Sequence, residues 1–274
     1  MPELPEVETI RCRLEPLLVG RKIVRAVIDD PRLTRPVAAE EVAAALKNQQ
    51  IAALDRRGKY LLFRLRSGLT LVVHLRMTGS LRHRPAEGDF LPHERARLEL
   101  DDGSELAYRD VRRFGTWQLL EADELEKHLA ARVGPEPLAP DFSSELLRGR
   151  LAGRRIALKA ALLDQRTLAG LGNIYVDEAL WAARLHPATA AGSLSRQAIV
   201  RLHGAIREVL SLGIARRGST LRDYALPDGE TGSMQNEFRV YGRESKPCER
   251  CGAAISKTRI AGRGTWFCPR CQRL

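Results

Sequence analysis

Two close pairs of cysteines, Cys248-x2-Cys251 and Cys268-x2-Cys271, lie near the end of the chain with sixteen residues between them. Thiolates are soft ligands, and two such knuckles close a tetrahedral four-sulfur zinc site. All four positions are then filled, so one zinc ion here is expected to be structural, with no open coordination position for chemistry. From Phe238 to Leu274 nine Lys or Arg face only Glu244 and Glu249, within a chain of formal charge +11 and pI near 9.9. That balance points to a polyanion, nucleic acid foremost. The residues between the knuckles, Ile255 to Trp266, read as a two-stranded hairpin with Arg263 at a Gly-Arg-Gly tip fit for a groove. Arg263 also reads as an ordinary solvated turn residue, which its charge alone does not exclude. The fifth cysteine, Cys12, stands alone and reads as a small residue on the first helix.

The second chemical feature is the start, Met1-Pro2-Glu3-Leu4-Pro5-Glu6. Removal of an initiator methionine before the small Pro2 exposes a secondary amine beside the Glu3 carboxyl. A free α-amino group titrates near about 7.7 to 8, against about 10.4 for lysine, which favours it as a nucleophile at neutral pH. Proline's amine is intrinsically more basic, so a site would have to lower that value. A secondary amine that attacks a sugar C1′ forms an iminium that cannot shed its charge by losing a proton from nitrogen. The C2′ proton is acidified, and strand elimination follows. Glu3 suits a general acid and proton shuttle. Pro2, Glu3, Pro5 and Glu6 equally suit a helix start, so these residues alone leave capping and chemistry both open.

Elements that position such groups are legible in the periodicity. Val7, Ile10, Leu14 and Leu17 recur at helical spacing until Gly20. Between Ile23 and Leu120 the pattern turns to strands, at Tyr60 to Arg66, Leu69 to Met77, Arg97 to Asp101, Glu105 to Asp110 and Phe114 to Leu120, with hairpin turns at Ser67-Gly68 and Asp102-Gly103. Glu40 to Lys47 reads as a short helix. Three prolines between Gly134 and Pro140 suit a linker, and Ile199, Leu202, Ile206, Val209 and Leu210 then mark a helical region. The expected fold is α+β and multidomain. An N-terminal β-sandwich with flanking helices spans 1–133, a linker 134–145, a helical domain ending in a Gly- and Ser-rich loop 146–237, and a zinc-finger β-hairpin 238–274. With 44% hydrophobic residues the chain is globular, and no apolar run approaches the ~20 residues of a membrane span. An acidic, proline-rich start in place of a secretory signal implies the cytoplasm.

Pro2-Glu3-Leu4-Pro5-Glu6-Val7-Glu8-Thr9, Gly58-Lys59-Tyr60, His74-Leu75-Arg76-Met77-Thr78-Gly79, Asp110-Val111-Arg112-Arg113-Phe114-Gly115, Leu163-Asp164-Gln165 and Ala169 to Tyr175 occur in order ahead of the cysteine finger. As a set, they make the chain closely resemble the formamidopyrimidine-DNA glycosylase family over its whole length. The resemblance implies an enzyme that excises oxidised purines, 8-oxoguanine and formamidopyrimidines, from duplex DNA and cleaves the strand at abasic sites by β,δ-elimination. It implies Pro2 as the Schiff-base nucleophile, Glu3 as general acid or base, and Lys59 as a phosphate contact that assists chemistry. Arg263 belongs to the same working set. Met77, Arg112 and Phe114 would fill the gap left by the extruded nucleotide, with Arg112 addressing the orphaned cytosine. Spacing alone would place Met77 and Phe114 in a core, and the resemblance reverses that. His74, His93, Lys159, Asn173 and Tyr241 are the further DNA contacts it implies, alongside Arg263, in a helix, two turns, helix domain. A monomer is expected, with a lesion-reading loop at about 218–237.

Two rivals remain. The endonuclease VIII branch shares fold and amine chemistry but takes oxidised pyrimidines; Leu4 and the Arg-Arg-Phe-Gly segment argue against it. A non-catalytic zinc-ribbon binder would also account for the charge. Met234-Gln235 and Trp266 depart from typical members of the resembled family, which bears on lesion preference.

Overall fold

Glu3 caps the first helix, α1 (Leu4–Leu18), whose N-terminus is fixed when the Glu6 carboxylate accepts the Glu3 N–H at 2.8 Å. In this computed structural model, which describes residues 2–85, 92–220 and 226–274, α1 turns Val7, Ile10, Leu14 and Leu18 into the core. Leu18 rather than Leu17 completes the buried stripe; Leu17 is half-exposed.

The chain then runs through β1 (Ile23–Ile28), α2 (Ala39–Leu46), β2 (Ile51–Arg57), β3 (Tyr60–Leu65), β4 (Thr70–His74), β5 (Gly79–Pro85), β6 (Glu94–Leu100), β7 (Ser104–Asp110), β8 (Thr116–Leu120) and α3 (Ala122–Ala130). Two antiparallel four-stranded sheets result, in the orders β1-β6-β7-β5 and β2-β3-β4-β8. Their facing residues bury Leu61, Phe63, Val73, Leu98, Leu106, Tyr108 and Trp117 in one cluster with α1. The expected β-sandwich is therefore present, with strands β1, β2 and β5 in addition to those the sequence marked. Charged residues mask the alternation in the last two, Asp55, Arg56 and Arg57 in β2 and Arg82 and Arg84 in β5. Helix α3 was equally silent, since it buries only Leu125.

The helical region comprises α4 (Ser144–Leu151), α5 (Leu158–Leu163), α6 (Asn173–Ala183) and α7 (Arg196–Ala215), followed by the hairpin β9 (Ser256–Ile260) and β10 (Arg263–Phe267). Ser143 and Ser195 cap α4 and α7 through their hydroxyls. The proline-rich stretch read as a linker is tied to this region by backbone bonds Gly134 to Gln165 and Ala169 to Pro135, and by Arg207, which donates to the Pro137 and Ala139 carbonyls.

Contacts divide the chain into two compact units: Met1–Ala130 with Arg217–Ser233, and Ala131–Arg216 with Met234–Leu274. In the first, the Ser219 N–H donates to Glu6 at 2.8 Å and the His83 N–H to the Pro227 carbonyl at 3.2 Å, so the 217–233 segment is tied to α1 at Ser219 and to the sandwich at Pro227. Residues 221–225, in the first half of the expected lesion loop, and Met1 lie outside the described residues. No helix among the described residues is long and apolar enough to cross a membrane.

Candidate nucleic-acid interface and metal centre

In the first unit Pro2 and Glu3 are buried at the start of α1. Glu6 links this start to the 217–233 segment: one carboxylate oxygen accepts the Glu3 N–H and the other accepts the Ser219 N–H, both at 2.8 Å. The capping box is reciprocal: the Glu3 carboxylate accepts the Glu6 N–H while the Glu6 carboxylate accepts the Glu3 N–H, so the group read as a general acid also caps the helix.

Lys59 precedes β3 and His74 ends β4, on paired strands where Tyr60 stands opposite His74. The His74 ring packs edge-on against Tyr60 with centroids 4.7 Å apart, and its Nδ1 accepts the Arg76 N–H at 2.9 Å. Burial, reinforced by the Arg76 and Lys59 charges, holds His74 down at about 3. It is neutral at physiological pH, so any polar contact its ring makes rests on hydrogen bonding and not on charge. His93 is exposed in a left-handed conformation (φ 66°) ahead of β6, with its Nδ1 3.5 Å from Arg95.

Met77, Arg112 and Phe114 come together outside the strands that precede and follow them. Met77 and Phe114 are 37% and 50% exposed, large values for apolar side chains of this size. Arg112 joins them: a guanidinium nitrogen lies 3.0 Å from the Met77 sulfur, and its carbon sits 4.7 Å from the Phe114 ring centroid. The arrangement is an apolar wedge with a cationic, hydrogen-bonding centre, the shape and chemistry needed to replace a base in a stack.

In the second unit the four cysteine sulfurs lie within 4.8 Å of one another. Four thiolates around zinc at about 2.3 Å stand about 3.8 Å apart, so the cluster fits that ion. Trp181 on α6 donates its indole N–H toward the Cys248 sulfur at 3.4 Å, and Arg250 stacks 4.0 Å over its ring while donating to the Trp181 carbonyl. A thiolate centre is thereby fastened to a helix.

The hairpin turns through Ala261 and Gly262, both left-handed (φ 50° and 74°), the two-residue geometry that matches strand twist. Arg263 follows the turn and is exposed. Its neighbour Gly264 has its carbonyl occupied twice, by Lys159 Nζ at 2.9 Å and Asn173 Nδ2 at 3.0 Å. Lys159 was expected at a phosphate; it is instead fully buried and ion-paired to Asp177 at 2.7 Å. Asp177 in turn accepts the Trp266 N–H, and burial pushes its carboxyl up to about 7 against the pull of Lys159. Asn173 opens α6 half-buried, with its side-chain oxygen unpartnered. Tyr241 lies in ring contact with Phe238 and Trp266, and its N–H joins those of Arg239 and Val240 on the buried Glu178 carboxylate at 2.8 to 3.0 Å.

Sequence reasoning missed Asp110, Asp177, Glu178 and Trp181. A signal existed for two of them: consecutive acids inside the apolar helix Asn173–Ala183 are buried on any face they take.

A closed four-thiolate finger, a helical element and an exposed wedge on a β-sandwich define the class of a zinc-finger protein built to engage a polyanion. Residues 1–117 match the formamidopyrimidine-DNA glycosylase N-terminal domain, 133–225 that family's H2TH domain, and 245–274 a zinc finger found in FPG and IleRS. Formamidopyrimidine-DNA glycosylase of Symbiobacterium thermophilum is 48% identical over 99% of this chain and 89% of its own, and that of Streptococcus pyogenes 45% over 100% and 99%. The structure of a Lactococcus lactis FPG mutant with Fapy-dG-containing DNA superposes with TM-score 0.94 at 42% identity, covering both chains fully. MutM in complex with carbocyclic 8-oxo-G DNA gives 0.93 at 41%, again over both whole chains. The chain belongs to the formamidopyrimidine-DNA glycosylase family.

Proposed function

We propose that this chain is a base-excision-repair enzyme that removes oxidised purines, 8-oxoguanine and formamidopyrimidines, from duplex DNA and then cleaves the strand as an abasic-site lyase. The observation that carries this reading is the exposed triad Met77, Arg112 and Phe114, assembled beside no core and matched to a vacated base. Family membership and relatives whose solved structures hold damaged DNA support it.

Pro2, freed of Met1, attacks C1′ of the damaged nucleotide. The C1′–N9 electron pair leaves with the base, which takes up a proton, and the ring opens to an iminium with Glu3 protonating the sugar oxygen. Loss of the C2′ proton expels the 3′ phosphate, and a second elimination expels the 5′ phosphate. Lys59 and Arg263 hold the phosphates flanking the lesion; His74, His93, Asn173 and Tyr241 bind the backbone farther along. Lys159 acts through Gly264 rather than by direct contact. One zinc ion on Cys248, Cys251, Cys268 and Cys271 supplies folding energy to the finger and takes no part in bond making. The functional division is a catalytic sandwich over 1–133, a linker over 134–145, a helical DNA-binding domain with its lesion loop over 146–237 and a finger over 238–274, working as a cytoplasmic monomer.

Borohydride reduction during incubation with an 8-oxoguanine duplex tests the chemistry. A covalent adduct mapping to Pro2, absent in Pro2→Gly, is expected; an adduct on a lysine, or none, overturns the assignment.

A further inference from the structure

The wedge loops share a buried anchor that the reaction itself does not use. Asp110, 1% exposed, ends β7 and accepts five hydrogen bonds. Its Oδ1 takes the Thr78 hydroxyl at 2.5 Å and the Arg112 N–H at 3.2 Å. Its Oδ2 takes the Phe114 N–H at 2.9 Å, the Gly115 N–H at 2.8 Å and the Tyr108 hydroxyl at 3.3 Å. None of the five donors is a side-chain cation. These five bonds hold the buried carboxylate against the backbone that presents Arg112 and Phe114, while Arg95 donates to the Asp110 carbonyl at 3.0 Å.

The same anchor reaches the loop of Met77. Thr78, next in sequence, donates to Asp110 and accepts the Arg112 N–H at 3.0 Å, so one hydroxyl joins both loops. Tyr108 completes the joint: a Cβ added at Gly115 would stand 1.7 Å from its hydroxyl, and one at Gly79 2.6 Å. Only glycine lets both loops close on that phenol. Arg113, between the two wedge residues, is held in a left-handed conformation (φ 58°) by a two-point contact with Asp30 at 2.5 and 2.8 Å. Exposed Met77 and Phe114 would gain by folding back over apolar surface, and this frame denies them that relaxation.

We infer that Asp110 is the positioning residue that assembles the wedge before DNA arrives, with Thr78 and Tyr108 as its partners. The inference rests on the proposed function, since a wedge has purpose only where a nucleotide is extruded. Opening a stacked base step is costly, and a wedge already in shape removes the further cost of ordering two loops at the same moment. Asp110 therefore acts on duplex opening and not on bond breaking at the sugar.

The two steps separate experimentally. An 8-oxoguanine duplex with 2-aminopurine beside the lesion reports unstacking and excision under single-turnover conditions; a single-stranded abasic oligonucleotide requires no opening. Asp110→Asn and Thr78→Val are expected to slow both the fluorescence rise and excision in the duplex on the order of tenfold to a hundredfold. Cleavage of the abasic single strand is expected to stay within about twofold of the unsubstituted protein. Where Asp110→Asn fails to fold, Thr78→Val, which removes a single hydroxyl, carries the test. Unchanged duplex rates, or equal losses on both substrates, overturn the assignment of Asp110. An unsubstituted protein inert on both substrates overturns the functional reading beneath it, a result distinct from either.

Discussion

Two arginines are presented to solvent on tight turns, Arg112 in the first unit and Arg263 in the second, and the frames beneath them differ. Under Arg112 a single buried carboxylate binds neutral donors, and apolar side chains flank the cation. Under Arg263 a buried ion pair, Lys159 with Asp177, grips one edge of β10 through the Gly264 carbonyl and the Trp266 N–H, and four thiolates close the module. The sandwich has a large apolar core and sets its loops with a few buried hydrogen bonds and the Arg113–Asp30 pair. The finger buries just Val240, Cys248, Ile255 and Cys268 in its own cluster, so its hairpin depends on a metal and on charges borrowed from α5 and α6.

Metal removal breaks the comparison most sharply. Chelation should cost the finger about 10 kcal/mol or more of local folding energy. Hydrogen exchange followed by mass spectrometry should then show protection lost across 245–271 and kept across β3, β4 and β7. Equal loss in both units would mean that the sandwich, too, depends on the ion.

Next in size is Lys159→Met, which strands the Asp177 carboxylate in a buried site and should destabilise the second unit by roughly 3 kcal/mol. Asp177 already lies above its ordinary value, so its contribution is favourable at low pH and is lost as pH rises through about 7. The variant should therefore be weaker at pH 8 than at pH 5, as read from urea unfolding of the full chain. An Arg263-dependent loss of DNA affinity without any loss of stability would contradict the frame described here.

The smallest effect sharpens the first unit. His74 sits at about 3 in the fold against 6.5 when free, so the stability it contributes is present above 6.5 and lost as pH falls from 6.5 toward 3. At about 1.4 kcal/mol per unit, the loss between pH 6.5 and 4.5 is at most about 2.8 kcal/mol. Amide exchange in β3 and β4 at pH 4.5 and 7 should show a larger acid penalty in the unsubstituted protein than in His74→Gln; equal penalties would remove His74 as the cause.

Much of this was legible beforehand because it is local. Helix α1, the hairpin turns and the cysteine knuckles are written in spacings of two to four residues, the range over which periodicity and ligand geometry act. The basic β5, the mixed β2 and the charged α3 escaped because their burial depends on partners far away in sequence. Among the site residues, Lys159 shows the limit most clearly. Its type suits a phosphate, yet Asp177 and the Gly264 carbonyl, 18 and 105 positions further on, hold it where none can reach.

By itself the sequence determined the ligand set of the metal centre, the basic character of the finger, the acidic and proline-rich helix start and the β-sandwich followed by helices. Those follow from residue type and short spacing. Only the tertiary structure decided that Asp110 anchors the loops of Met77 and Phe114, which the family resemblance had already taken out of the core, and that a buried ion pair stands behind Arg263. Burial and hydrogen-bond partnership belong to groups brought together from distant positions, and no local pattern carries that information.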